Sequence, residues 1–451
     1  MEEQLRELGL EFTKEVREDF VNFRADPLAV VYPRSEEDVI KLVNFAREKK
    51  IPIVPWGAGT SLTGAVACKG CILVDMRYMS SILEINEVDW YARVQPGVNL
   101  GKLNEELSKR GFFFPPDPAS FFLCTVGGAV ANSSGGMRGV RYGTFREWVL
   151  ALRVVLSSGE VIRVGEPLRK NRAGYDLVHL FVGSEGTLGI ITEVWLRIIP
   201  TPRQRLVALV GYVSSLDSVA GIIIDMRRSG ILPEIAEYVD DEVIRALNEH
   251  LNAGLRKSGG GILLLRVDEP DSERMREILR RWGVEAEVLN DEEWERMYSL
   301  RSQSALALKA SAESMYVEDI VVPVSRLVEA VRRLRDLERK YNVRMPVIAH
   351  IGDGNLHPNI LLERSEDADK IFDEVARLAV ELGGSVSGEH GIGIQKAKVM
   401  GEQITSHSGK RVLEIMNGIK RLIDPESIMN PGKYVELAYE INRSEERRSS
   451  S

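Results

Sequence analysis

Cysteine is scarce: three in 451 residues. Three thiols cannot build a disulfide framework, and Cys68-Lys-Gly-Cys71 with only Cys124 elsewhere falls one ligand short of a four-thiolate zinc knuckle. The pair reads as reduced or incidental. Long hydrophobic runs are also missing, since a stretch such as Val207 to Val213 is far shorter than the roughly 20 residues needed to cross a hydrocarbon core. A membrane-spanning segment is excluded. Basic residues are outnumbered, 59 against 67 acidic ones, and the net charge of −8 would repel a polyanion. Nucleic acid is excluded as the expected partner. The opening Met1-Glu-Glu-Gln-Leu-Arg-Glu has neither the basic leader nor the apolar core of a secretory signal. The expected location is the cytoplasm, or the inner face of the membrane as a peripheral protein. No internal repeat is visible. What is present is an ordinary globular composition, 44% hydrophobic and 28% charged, in a chain long enough for two or three domains. About three quarters of its unfolded surface could be buried on folding.

Along the chain, Ser35-Glu-Glu-Asp38 is an N-cap followed by Val39, Leu42, Val43 and Ala46 at helical spacing, which predicts a helix to about Lys50. Ile51 to Val54 reads as a buried strand running into a Pro/Gly loop at Pro55 to Gly64. Further on, Val149 to Leu156 and Val161 to Val164 flank a Ser-Ser-Gly-Glu turn, and Gly189 to Ile199 is a long strand closed by Pro200 and Pro202. A domain boundary belongs there. Beyond it, strands at Leu206 to Val213, Gly261 to Val267, Asp319 to Val322 and Val347 to Ile351 alternate with helices such as Val324 to Tyr341, a pattern of antiparallel α+β layers. The first 24 residues are expected to be a helical segment. The tail 444–451 lacks apolar residues to offset its ordering entropy and is expected to be disordered.

Three glycine-rich clusters share the first half: Pro55-Trp-Gly57-Ala58-Gly59-Thr60-Ser61-Leu-Thr-Gly64, Thr125-Val-Gly127-Gly128-Ala-Val-Ala-Asn132-Ser-Ser-Gly135-Gly, and Gly183-Ser-Glu185-Gly-Thr-Leu-Gly189-Ile190. Glycine lets the backbone tighten until successive amides converge on an anion such as a pyrophosphate. The spacing is neither G-x-G-x-x-G nor G-x-x-x-x-G-K-[ST], so the Rossmann and P-loop signatures are both missing. One cluster alone would read as a surface loop. Three argue for one extended ligand.

Together with Val94-Gln-Pro-Gly97, Pro115-Pro-Asp117-Pro118, Tyr142-Gly143 and Gly174-Tyr-Asp-Leu177, these clusters resemble the PCMH-type FAD-binding half of the vanillyl-alcohol oxidase superfamily. The nearest resemblance is to its D-lactate dehydrogenase and glycolate oxidase large-subunit branch, over roughly Ala25 to Gly432. The resemblance implies an α+β fold: a PCMH-type FAD-binding domain of two α/β subdomains (25–202), an antiparallel-sheet α+β substrate or cap domain (203–420) and a C-terminal helical return to the flavin (421–443). By the same resemblance Gly57 to Ser61 (Gly57, Ala58, Gly59, Thr60, Ser61) hold the pyrophosphate, with Pro55 and Gly64 bounding them. Asp117, Pro118, Thr125, Gly127, Gly128, Asn132, Gly135, Glu185, Gly189 and Ile190 line the rest of the FAD, and Asn430 touches it from the C-terminal return. Trp56 stands where the family commonly carries arginine. Only His179 precedes Thr201, outside all three clusters, and Cys124 reads as a small packing residue, so the FAD is expected to be non-covalent.

Three of the six histidines lie in Ala349-His350-Ile-Gly-Asp-Gly-Asn355-Leu-His357 and Ser387-Gly-Glu389-His390-Gly. Asp-Gly-Asn is hairpin-turn chemistry, so His350 and His357 would flank a turn and could share a pocket. Two neutral imidazoles and the Glu389 carboxylate make a three-ligand set for catalytic zinc or manganese, with core histidines as the plain alternative. The resemblance implies the first: His350, His357 and Glu389 as metal ligands, and His390 as the base beside the flavin. Loss of a hydroxyl proton must accompany hydride removal from a 2-hydroxy acid, which an imidazole can accept near neutral pH and a metal can assist. Arg301 resembles the family's carboxylate-binding arginine, with a surface role as its alternative.

The expected function is FAD-dependent oxidation of a small D-2-hydroxy acid, D-lactate or glycolate, to the 2-oxo acid, with hydride passing to flavin N5. Electrons then pass to an external acceptor (a quinone, a cytochrome, an iron-sulfur subunit or oxygen), since three cysteines cannot hold a cluster. A homodimer stays open. Val317 adds no charge to the expected pocket, which favours small acids over 2-hydroxyglutarate. Two alternatives compete: a non-catalytic FAD-binding subunit, and a zinc hydrolase that would leave the glycine clusters unexplained.

Overall fold

The computed structural model describes residues 1–362 and 368–449. Two halves meet across a seam of loops. In the first, the strands Phe12–Thr13, Ala29–Val31, Ile72–Asp75 and Ile53–Trp56 lie side by side in that order, the last three mutually parallel. Parallel strands need a crossover, here the helix Glu36–Lys49 between Ala29–Val31 and Ile53–Trp56, which flank Ile72–Asp75; its Ser35/Asp38 capping box satisfies its first amides. Val39, Leu42, Val43 and Ala46 pack on Val31, Ile53, Ile72 and Val74, as the helical spacing predicts. A second, antiparallel sheet orders Val161–Gly165, Val149–Val155, Ile190–Arg197, Tyr91–Val94 and Ile82–Asn86. Its core holds Leu152, Val154, Val194 and Leu196 together with Val126 and Val130 of the helix Val126–Asn132.

The second half is built on one antiparallel sheet, ordered Glu285–Leu289, Leu206–Tyr212, Ile262–Asp268, Ile235–Val239, Val347–His350, Asn355–Leu362 and Ser314–Val317, with Ile320–Val321 also on Asn355–Leu362. Strand alternation divides its side chains between two faces. Leu263, Leu265, Ala236, Tyr238, Ala349 and Leu356 bury against the helices Leu216–Arg228, Glu269–Arg281, Leu327–Tyr341 and Ala368–Glu381. Ile262, Leu264, Val239, Ile348 and Leu361 face the other way, toward the helices Asp241–Leu251 and Ser304–Ala310. By the same period, Glu237, His350 and His357 belong to this second face.

Three expectations need correction. The first 24 residues are not a helical segment: only Glu2–Glu7 is helical, Gly9 turns the chain at φ +73°, and Phe12–Thr13, Arg17–Glu18 and Arg24–Asp26 join sheets. The amphipathic opening is helical only to Glu7, and beyond Gly9 pairing of Phe12–Thr13 with Ala29–Val31 and of Arg17–Glu18 with Arg24–Asp26 sets the structure. Cys68 and Cys71 form a disulfide, their Cα atoms 6.1 Å apart across the short link from the strand Cys68–Lys69 to Ile72–Asp75, which lie in different sheets. The tail expected to be disordered carries on the helix Tyr434–Ser449, which is anchored at its start by apolar contacts of Tyr434, Val435, Leu437 and Ala438. Residues 450–451 lie outside the described residues. No helix among those described is long and apolar enough to cross a membrane.

Candidate active site at the seam

The glycine clusters converge as the sequence suggests. Gly57 packs so tightly on the start of the helix Val126–Asn132 that a Cβ there would lie 2.7 Å from Thr125 Oγ1 and 3.5 Å from Gly128 Cα. Thr125 caps that helix through the amide of Gly128, and the amides of Val126 and Gly127 donate to Val98 O and Pro96 O, so the backbone amides left for an anion are those of the Gly57 to Ser61 loop, which have no partner among the described residues. The residues therefore fit a pyrophosphate-bearing cofactor. Gly127 is pressed against Pro96, and Gly186 of the third cluster lies over Pro55. Gly59, at φ +70°, rests on the indole of Trp56. Arg17 stacks 5.5 Å above that indole and pairs with Asp75 at 2.6 Å, bringing a guanidinium close to where the sequence lacks one.

Other positions in this half have structural duties. Ile190 is buried in the core with Ile53 and Val155, and Gly189 is pressed against Val154 and Val155. Asn430 donates both amide hydrogens, to Ala65 O at 2.9 Å and Glu185 O at 2.7 Å, while Lys433 donates to its Oδ1. That leaves no side-chain donor for a ligand. Asn430 is a clasp between the C-terminal return and two glycine clusters. The Glu185 carboxylate is likewise occupied, accepting from the amides of Ile392 and Gly393 at 2.6 and 2.8 Å. Asp117 accepts from the Arg138 amide at 2.9 Å and the Tyr298 hydroxyl at 2.8 Å, and burial pushes its pKa up to about 6. Cys124 is buried, with its thiol pushed up to about 11 by burial. His179 is engaged by Asp176 and the Arg146 carbonyl.

The histidine segment sits directly on these clusters. Asn132 Nδ2 donates to Glu389 O at 2.5 Å, a Cβ on Gly135 would lie 2.7 Å from Glu389 Oε2, and the Ile394 amide donates to Thr63 O. Across the seam, His350 and His357 come from adjacent strands in which Ala349 faces Leu356 and His350 faces Asn355, so the two imidazoles are diagonal neighbours on one face. Their Nε2 atoms lie 2.9 and 3.4 Å from Glu389 Oε1, and His390 Nε2 lies 3.8 Å from the same oxygen. His390 stacks on His357 with ring centroids 4.7 Å apart. Donor atoms of His350, His357 and Glu389 all lie within 4.8 Å of one another, a spacing that suits one cation. Burial opposes ionisation of Glu389, yet His350 and His357 hold its pKa well below the carboxylate value. Burial opposes the charged form of His350 too, but Glu237 and Glu389 raise its pKa well above that of free histidine. Burial drives His390 down to about 4.

Arg301 is 6% exposed at the end of the helix Asp291–Ser302, so it is no surface arginine. Two partners escape the sequence reading. Glu237 contacts His350 Nδ1 at 2.7 Å and Arg301 Nη2 at 2.6 Å. Asp319 Oδ2 accepts from Ser387 Oγ and the amides of Gly388, Glu389 and His390 at 2.7 to 3.0 Å, while Oδ1 accepts from Asn355 Nδ2. This carboxylate shapes the turn carrying Glu389 and His390. Behind it, Lys396 and Glu318 form a buried pair at 2.8 Å. Val317 lies on the strand Ser314–Val317 and is half-buried.

Residues 27–165 match the FAD binding domain family, and residues 201–434 match the C-terminal domain of FAD linked oxidases. The glycolate oxidase subunit GlcD of Bacillus subtilis is 34% identical over 91% of this chain and 89% of its own length. A D-lactate dehydrogenase of Anaerostipes hadrus is 32% identical over 93% of each chain, and a D-2-hydroxyglutarate dehydrogenase of Stutzerimonas stutzeri 30% identical over 96% of this chain and 94% of its own. Among solved structures, the 4-ethylphenol oxidase of Gulosibacter chungangensis superposes with a TM-score of 0.72 at 19% identity, covering 96% of this chain and 92% of that one. With the glycine clusters meeting at one helix N-terminus and both halves matched in order, the chain belongs to the FAD-linked oxidase family.

Proposed function

We propose that this chain oxidises a small D-2-hydroxy acid, D-lactate or glycolate, to the 2-oxo acid, using non-covalent FAD and a divalent cation, zinc or manganese. The observation that carries this reading is the convergence of three imidazole Nε2 atoms on Glu389 Oε1, at 2.9, 3.4 and 3.8 Å, in a segment resting on the glycine clusters. Lone pairs of neutral imidazoles facing a carboxylate oxygen repel unless a proton or cation stands among them. Glycine backbone at Gly57 to Ser61 and around Thr125 to Gly128 would hold the FAD, and His350, His357 and Glu389 the cation. Bound flavin supplies a two-electron acceptor, which no side chain can be. A bound divalent cation would lower the pKa of a hydroxyl beside it.

The chain's own residues do the rest. Arg301 receives the substrate carboxylate with its planar fork. His390 accepts the hydroxyl proton on an imidazole nitrogen, and its Nδ1 is buried without an aligned partner among the described residues. The loops interlocked around Asn132 and Glu389 O limit water at the reacting centre. Electrons leave to an external acceptor, for which a quinone, a cytochrome or an iron-sulfur subunit is suitable.

Anaerobic titration of the flavin absorbance tests the reading. D-lactate or glycolate should bleach the flavin, L-lactate should not, and removal of divalent metal should abolish the bleaching until zinc or manganese is restored. Bleaching by D-2-hydroxyglutarate alone would overturn the small-acid assignment, and flavin left oxidised by every 2-hydroxy acid would overturn the reaction.

A further inference from the structure

Glu237 is fully buried in the strand Ile235–Val239, on the sheet face that carries the two histidine metal-ligand candidates. Tyr238 pairs with Ala349 and Val239 with Ile348, so the register brings Glu237 opposite His350. Its two oxygens have different partners: Oε1 lies 2.7 Å from His350 Nδ1, and Oε2 lies 2.6 Å from Arg301 Nη2. An ionised carboxylate can only accept. His350 must then carry a proton on Nδ1. Without a cation the same rule puts a second proton on Nε2, 2.9 Å from Glu389 Oε1, and a cation taking that proton's place would find the lone pair on Nε2 while Glu237 keeps the proton on Nδ1. The contact with Arg301 differs in kind. Neither Arg301 Nε nor Nη2 has an aligned acceptor among the described residues, although both are buried. Charge holds the guanidinium in place while part of its donor fork stays available.

We infer that Glu237 is a positioning residue for both ends of the substrate: it fixes the His350 tautomer that offers Nε2 to a divalent cation, and it holds Arg301 to receive the substrate carboxylate. This rests on the functional reading above. The two duties respond oppositely to loss of the charge. Glu237→Gln can turn an amide N–H toward Nδ1 and select the tautomer with a protonated Nε2, which opposes cation binding. The same change leaves Arg301 without its counter-charge, and an unpaired buried cation attracts an anion more strongly.

The experiment uses the FAD-loaded full chain. Manganese binding is read by equilibrium dialysis, and binding of propionate, which has the carboxylate but no hydroxyl, is read from the flavin difference spectrum. For Glu237→Gln we expect manganese affinity to fall about 10- to 100-fold, with propionate affinity unchanged or increased. Glu237→Asp, which keeps the charge but shortens the reach, should also weaken manganese. Arg301→Lys, which leaves the Glu237–His350 contact in place, should keep manganese within about threefold while losing propionate about tenfold or more. Unchanged manganese affinity in both Glu237 variants, or equal weakening of both ligands in Glu237→Gln, would overturn the inference. A wild-type protein that binds no manganese would overturn the functional reading along with it.

Discussion

The two halves of this molecule build their sides of the seam from different materials. In the first half the candidate ligand surface is backbone: Gly57, Gly127 and Gly128 permit close approach, and the polar side chains nearby are occupied in holding loops together. In the second half it is side chains: His350, His357, Glu389 and His390 project from strands and a turn onto one spot, and Arg301, at a helix end, joins them through Glu237. The difference teaches that a backbone site is broken by adding atoms, whereas a side-chain site is broken by removing them.

The largest expected effect follows from removal in the second half. His390→Gln should lower the rate of anaerobic flavin reduction by about 10² to 10⁴-fold, as for loss of a general base, while FAD and metal content stay at wild-type levels. Addition in the first half should do the reverse: Gly57→Val, whose Cβ begins 2.7 Å from Thr125 Oγ1, should yield protein that has lost flavin affinity by about tenfold or more, yet still binds manganese. Loss of both ligands in either variant would dissolve the contrast between the halves. Next comes the clasp, where Asn430→Ala leaves Ala65 O and Glu185 O without their donor and should cost about 3 kcal/mol in chemical denaturation. Flavin reduction in that variant should change only a few-fold, because Asn430 has no donor left for a ligand.

The smallest effect concerns Asp117 at the seam. Its folded pKa is raised from 3.8 to about 6 by burial, so the folded state holds the proton more tightly than the unfolded chain. The stability this contributes is fully present below about pH 3.8 and is lost as pH rises through about 6, at most on the order of 3 kcal/mol. Asp117→Asn should flatten that part of the stability profile measured by urea unfolding. A slope between pH 4 and 6 equal to that of wild type would show that another group titrates there.

How much was legible in the sequence differs between the halves for the same reason. Glycine clusters and a dense histidine segment are local patterns, so both stand out before any fold is known, whereas ligand roles for His350, His357 and Glu389 come from the family resemblance, the spacing alone leaving core histidines as the alternative. The helix Glu36–Lys49 was equally plain from its cap and apolar spacing. Ile190, Glu185 and Asn430 lie in or near the motifs, yet the packing that turns the Ile190 side chain into the core and engages those of Glu185 and Asn430 with neighbouring loops is not encoded there. Glu237 and Asp319 went unseen for the opposite reason, since their partners are remote in sequence. A signal existed: each is a carboxylate next to or inside a short apolar strand, Ile235-Ala-Glu-Tyr-Val239 and Glu318-Asp-Ile-Val-Val322, where a buried charge needs a partner. The N-terminal residues misled because the amphipathic opening is a helix of only six residues, and past Gly9 strand pairing to the sheet takes over.

The most direct test of the central claim, that a side-chain cation site sits on a backbone flavin site, is metal stoichiometry by equilibrium dialysis of the FAD-loaded protein. The account predicts one zinc or manganese ion per chain, lost on replacing His350, His357 or Glu389 with alanine while the FAD stays bound. Protein that binds FAD but takes up no divalent ion, or holds it undiminished without all three side chains, would contradict the account.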